Sequence, residues 1–212
     1  MYNVRFVLLG WLAGIFSSLI LEWNRDSRVT KSLRKALQFE LVEFRFRMVG
    51  VAFMLATRAG TLSPGRVAWL IAEFETYKGF GVAASTDVLD ALKTMQEHPK
   101  GGKVMAARFA AKLQQAAPGL KKYPTPALDA AVASVALFSP EEQRLILELR
   151  TLVSNLESAT DESWHFFEKT FDSALSGEDR RRLEVNLATA NAQAAELCER
   201  IAKHIANMRT AA

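Results

Sequence analysis

The chain has 212 residues of ordinary globular composition, half hydrophobic and about a quarter charged, enough for one domain with a real core or for one domain plus an appendage. A formal charge of +4 is too small by itself to indicate nucleic acid, which is not expected as a partner. The single cysteine, Cys198, excludes an intrachain disulfide and suits a reducing compartment.

Phe6 to Leu21 reads FVLLGWLAGIFSSLIL, sixteen residues without a charge. As a helix this run covers roughly 24 Å, somewhat short of a ~30 Å hydrocarbon layer. Arg5 can snorkel at one end and Trp23 can sit at the interface at the other, so the run is expected to act as a membrane anchor. Phe6, Leu9, Trp11, Leu12, Ile15, Phe16, Leu19, Leu21 and Trp23 are its expected membrane-facing residues. Gly10, Gly14 and Ser18 recur every four residues and would let two such helices approach closely. A cleaved signal peptide is disfavoured, because Glu22, Trp23, Asn24 and Arg25 follow the run in place of a small-residue cleavage site. A core helix that is apolar all round is the alternative.

Basic residues fix the expected orientation. Only Arg5 precedes the run, whereas Arg25, Arg28, Lys31, Arg34 and Lys35 follow it. The positive-inside rule places the N-terminus outside and the rest in the cytoplasm of a bacterial-type inner membrane. The same five residues are the expected contacts to anionic lipid headgroups.

From Thr30 to Arg58 the sequence predicts a long helix, with Leu33, Leu37, Leu41, Phe44, Met48, Val51 and Leu55 on one stripe. Phe39, Val42, Phe46, Val49 and Phe53 form a second stripe, and Phe39, Phe46 and Phe53 are candidates to line an internal cavity. Met48–Thr57 lacks charge but is too short for a second span. Gly60 ends the helix, and nothing between Trp23 and Thr30 forces a break from the anchor.

Ser63-Pro64 starts the next helix, whose face is Val67, Leu70, Ile71, Phe74 and Tyr77. Ser85 begins a short helix carrying Val88, Leu89, Leu92 and Met95. Val104–Ala117 is expected to be an Ala-rich helix, and Leu128–Phe138 a short apolar one. Ser139-Pro140-Glu141-Glu142 combines a Ser cap, a first-position Pro and a capping-box Glu. Two heptad-like seams follow. The first is Leu145, Leu149, Leu152, Leu156, Ala159, Ser163 and Phe166; the second is Leu183, Leu187, Ala190, Ala194, Leu197, Ile201, His204 and Met208. Folding about Ser176 brings them together as an antiparallel hairpin, with Leu149 facing His204 and Ser163 facing Ala190. No alternating strand pattern occurs. The expectation is all-α: an anchor over residues 1–24, a helical core over 25–138 and a C-terminal hairpin over 139–212, with about seven helices after the anchor.

The chemistry-bearing residues are sparse. Glu162 and His165 form one E-x-x-H on a helix, where a di-iron site needs two such motifs and two further glutamates. Cys198 and His204 stand six apart, which does not bring them to one helix face, and zinc needs more ligands than the chain clusters. Lys100, Lys103, Lys121, Lys122 and Arg180–Arg182 are scattered cations without a phosphate-loop pattern. Trp69 and Trp164 are expected in the core. No catalytic residue, cofactor or metal ligand is assigned. The expected function is a non-enzymatic interaction module on a membrane, with a protein partner or a second copy of itself. A lipid-handling protein is the next reading, and a soluble enzyme or binding protein with the N-terminal helix buried is the third.

Overall fold

A single helix, α1, runs from Tyr2 to Arg58. The computed structural model describes residues 2–77, 82–98, 120–172 and 176–211; side chains at 2–24, 26, 82–86 and 209–211 lie outside that description. The stretch expected as an anchor and the expected core helix are therefore one backbone element of about 85 Å. Its continuity follows from composition, since the first proline of the chain is Pro64, beyond the helix end.

Among the described residues, no helix is long and apolar enough to cross a membrane. The part of α1 whose side chains are described opens with Arg25, Arg28, Lys31, Arg34 and Lys35, and its charge-free stretch at Met48–Thr57 is bounded by Arg47 and Arg58. The expected anchor residues from Phe6 to Trp23, and the Gly10, Gly14 and Ser18 stripe, have side chains outside the described residues. The architecture shown is all-helical, without a strand among the described residues.

α1 ends in a Schellman motif. Gly60 adopts φ +67°, its N–H donates to the Thr57 carbonyl (3.2 Å), and the Thr61 N–H donates to the Ala56 carbonyl (2.8 Å). The turn leads to α2 (Pro64–Thr76), capped by Ser63, whose hydroxyl accepts from the Arg66 N–H at 3.2 Å. Val67, Leu70, Ile71 and Phe74 are buried, as their spacing predicts. α3 (Val82–Glu97) begins three residues before Ser85 and packs on α2. The expected Val104–Ala117 helix lies outside the described residues. In place of one helix over Leu128–Phe138 there are two pieces: α4 (Pro126–Ala133) and a 3₁₀ turn (Val135–Leu137). Val132, Ser134 and Val135 are weak helix formers, and the 3₁₀ turn redirects the chain into the next cap.

α5 (Pro140–Lys169) starts at the capping box read from the sequence. The Ser139 hydroxyl accepts from the Glu142 N–H, and the Glu142 carboxylate accepts from the Ser139 N–H at 2.8 Å. α6 (Gly177–Ala211) returns antiparallel to it. Ser163 lies 3.4 Å from Asn191, one residue from the expected Ala190. His204 Nε2 meets the Leu145 carbonyl at 2.9 Å, one turn from the expected Leu149. Besides the seam residues Ala190, Ala194 and Ile201, α6 buries Asn191, Ala195, Cys198, Ala202 and Ile205. This wider face serves a second neighbour: α6 packs against α1 as extensively as against α5.

One buried cluster joins α1, α2, α4, α5 and α6, with Met48, Ala52, Leu55 and Ala56 of α1 wholly inaccessible. Three charged residues set into the apolar part of this helix, Glu40, Glu43 and Arg45, meet partners on surrounding elements. Glu40 accepts from the N–H groups of Ala127 (2.9 Å) and Leu128 (3.0 Å), capping α4, whose own Thr125 makes no side-chain cap. Glu43 accepts from the Tyr77 hydroxyl (2.9 Å), and Arg45 grips Glu73 through two bonds of 2.9 Å. Phe46 stacks on Tyr77 with ring centroids 3.5 Å apart. Phe39 departs from the expected internal stripe, being 70% exposed, and does not share a cavity with Phe46 and Phe53. It stands one turn from Lys35 on the charged side of α1, which directs it outward.

Removing the Glu40 carboxylate leaves two N–H groups at the start of α4 without their acceptor. Glu40→Ala is expected to lower stability by about 1–2 kcal/mol, in the range of lost helix caps. Urea unfolding checks this as a reduced midpoint at unchanged slope, with Glu40→Gln losing less.

Candidate functional site

A groove of about 920 Å³ opens among the described residues. One wall is α1 from Arg34 to Val42; the other is Phe138–Ile146, with Met208 of α6 closing one side. Its floor is apolar and belongs to the core: Leu37, Leu41, Phe138, Leu145 and Ile146 are buried. Phe39 is its exposed apolar edge.

At the groove the α5 capping box is tied back to α1. The Glu142 carboxylate that accepts from the Ser139 N–H also receives Arg34 Nε (2.9 Å) and Nη2 (2.8 Å). The Arg34 guanidinium lies 5.7 Å from the centroid of the Phe138 ring. Burial pushes the Glu142 carboxyl up, but the bonds from Arg34 and Ser139 outweigh it and hold the group below the usual carboxylate range. Arg34 is thus spent on holding two helices together. Of the five basic residues expected to meet headgroups, Arg34 is the one engaged, among the described residues, by a carboxylate of the protein itself. Arg25, Arg28, Lys31 and Lys35 are exposed, as that role requires.

The rim charges fall into two groups. Glu142 is matched by Arg34, and Glu141 by Arg144, which also meets Glu148. Lys35 has no carboxylate against it among the described residues.

The remaining candidates do not converge on the groove or on each other. Glu162 and His165 are both exposed, and no group of acidic, His and Cys side chains able to hold a metal occurs among the described residues. Cys198 is wholly buried, and that burial pushes its thiol up to about 12. His204 bonds the Leu145 carbonyl and lies 3.9 Å from Glu148, a seam imidazole with partners. Lys122 pairs with Asp161 at 2.8 Å and Lys121 sits over Tyr123, while Arg180–Arg182 lie exposed at the start of α6. Lys100 and Lys103 lie outside the described residues. Trp164, expected in the core, is 37% exposed and its indole N–H donates to the Leu120 carbonyl at 2.9 Å, fastening the loop before α4. Trp69 packs partly buried against the core.

Of the groove residues, Leu37, Phe39, Leu41, Val42, Leu145 and Met208 stand on stripes read as core from the sequence, whereas the pairing of Arg34 with Glu142 and the contributions of Phe138 and Ile146 do not follow from spacing. The sequence did hold one pointer: Phe39 falls on the same helical stripe as Lys31 and Lys35, where an aromatic is out of place unless it meets something. Comparison with known proteins matches no family model, no curated protein and no solved structure.

The Glu142 linkage sets an acid dependence. A carboxyl depressed on folding contributes stability above its unfolded pKa of about 4.3 and loses it as pH falls through the lower folded value. Glu142→Gln is therefore expected to cost about 1–3 kcal/mol at pH 7, a charge-assisted pair and half a capping box. The difference from the parent chain should vanish in acid, read as converging urea midpoints. Separately, Cys198 should resist maleimide in the folded chain at pH 8 and react fully in denaturant, followed by mass spectrometry.

Proposed function

We propose that the chain is a non-catalytic binding module held at the cytoplasmic face of a membrane, presenting the groove between α1 and α5 to its ligand. The observation that carries the binding part is the groove itself: a concavity with a buried apolar floor, edged by a phenylalanine that is 70% exposed. A side chain of that size left in water costs hydrophobic stabilisation that its burial by a partner would recover. The groups most suited to catalysis lie elsewhere, with Cys198 buried and un-ionised, His204 bonded into the seam, and Glu162 and His165 isolated on the surface.

The membrane part rests on sequence: the uncharged run Phe6–Leu21, the basic collar that follows it, and the Gly10, Gly14 and Ser18 stripe through which two anchors would associate. The continuity of α1 gives this reading a geometry. Eighteen residues of helix separate Leu21 from Phe39, so the groove stands about 27 Å above the end of the apolar run.

Alkaline carbonate extraction compares the full chain with one beginning at Asn24, each with a C-terminal reporter active only in the cytoplasm. The full chain is expected in the membrane pellet with an active reporter, and the shortened chain in the supernatant. Extraction of the full chain would instead place Phe6–Leu21 in a protein core and remove the membrane reading.

A further inference from the structure

We propose that the groove is a site for one long-chain fatty acid, its acyl chain lying along Phe39, Val42, Phe138 and Met208 and its carboxylate meeting Lys35 and Lys31. The inference rests on the reading of the groove as a binding surface and adds the chemistry of what it binds.

The first support is a change of character along one stripe of α1. Arg28, Lys31, Lys35, Phe39 and Val42 follow one another at spacings of three and four, so they share a face within about 80° of arc. The first three are exposed cations and the last two line the groove. A ligand lying along this stripe meets positive charge and then apolar surface, the order of a single amphiphile with an anionic head.

The second support is the sign of the uncommitted charge. At the groove mouth the carboxylates are already matched, Glu142 to Arg34 and Glu141 to Arg144. Lys35 on the rim and Lys31 one turn away face no carboxylate among the described residues. A partner helix of mixed charge would find only its acidic residues answered; an acyl carboxylate needs nothing more.

The third is that the site takes one chain. The other large exposed apolar residues described, Val29, Leu147, Trp164, Phe171 and Val185, do not line the groove. A second acyl chain would therefore lie over Gln38, Ser139 and other polar groups.

The test uses the full chain in phosphatidylcholine nanodiscs and a diazirine-bearing palmitic acid, with crosslinked peptides mapped by mass spectrometry. Saturable labelling within 34–42 and 138–146 is expected, displaced by palmitic acid and not by hexadecanol. Phe39→Glu, which removes no core contact, is expected to weaken the labelling by about tenfold or more, as is the pair Lys31→Glu and Lys35→Glu. An unchanged melting temperature shows that these exposed substitutions leave the fold intact. Labelling that does not saturate, is confined to the first 24 residues, or is indifferent to these variants overturns the proposal.

A Gln38→Cys variant separates this failure from that of the underlying reading, because Cys198 is buried and adds no background. If the acid fails but the new thiol is shielded from maleimide in native membranes and not after purification, the groove holds a different partner, an acidic amphipathic helix being the first to test. If the acid fails and the thiol is never shielded, the binding-groove reading falls with it.

Discussion

The fold depends on the need to cover one very apolar helix from several sides. Between Leu37 and Ala56, α1 buries residues on more than one stripe, and no single neighbour can shield them all. α2, α4 and α6 each pack on it, and α5 reaches the same core through α4 and α6. The hydrophobic term supplies the driving force but no unique arrangement, since it is non-directional. Direction comes from the few polar residues set into the apolar surface. Glu40 is satisfied by the start of α4, and Glu43 and Arg45 by the end of α2 and its flank. Each would be left with an unmet carboxylate or guanidinium if its neighbour docked in another register, a larger penalty than the bond is worth in itself.

Glu142 carries the same logic to the far end of the domain. One carboxylate closes the first turn of α5 and holds Arg34 of α1, so helix initiation and helix docking are a single event. That economy leaves the groove beside it. The Arg34 side chain spans the gap between α1 and α5 at one point, over Phe138, and beyond it the two walls are separated by unfilled space. The Arg34–Glu142 pair thus ties the two walls together at one point of the groove, above a packed apolar floor.

The parts of this fold legible in the sequence are those decided within a few residues. Ser63-Pro64, Ser139-Pro140 with Glu142, and Gly60 stand where helices begin and end, because each satisfies backbone groups three or four positions away. The antiparallel hairpin was also readable, its register to within about one turn, since two heptad-like seams on either side of one break admit few alignments. What escaped depends on distance along the chain. Arg34 and Glu142 are 108 residues apart, and Glu40 and the start of α4 are 87 apart. No periodicity announces such pairs. Phe39 was placed with the interior aromatics because its spacing to Val42 and Phe46 is helical; its neighbourhood of Lys35, Gln38 and Glu40 was the better guide to where it points. The second buried face of α6 was missed for a related reason. Ala195, Cys198 and Ala202 are small, and a stripe of small residues reads weakly as hydrophobic although it allows the closest helix approach.

A continuous α1 also constrains how the two ends of the domain can act. A helix without proline or a break transmits orientation as well as distance. The face of α1 that carries Arg28, Lys31 and Lys35 is the face that carries Phe39 and Val42, so rotating the N-terminal segment about its axis rotates the groove by the same angle. Two copies joined through Gly10, Gly14 and Ser18 would therefore hold their grooves in a fixed mutual orientation. Gly10, Gly14 and Ser18 lie on average about 67° around the helix from the centre of the cationic stripe, at 100° per residue. An association through the small residues would thus leave the cations and the groove beside the dimer axis and not buried in it. The two roles assigned to the opposite ends of α1, self-association and ligand capture, are compatible on one rigid rod for this geometric reason.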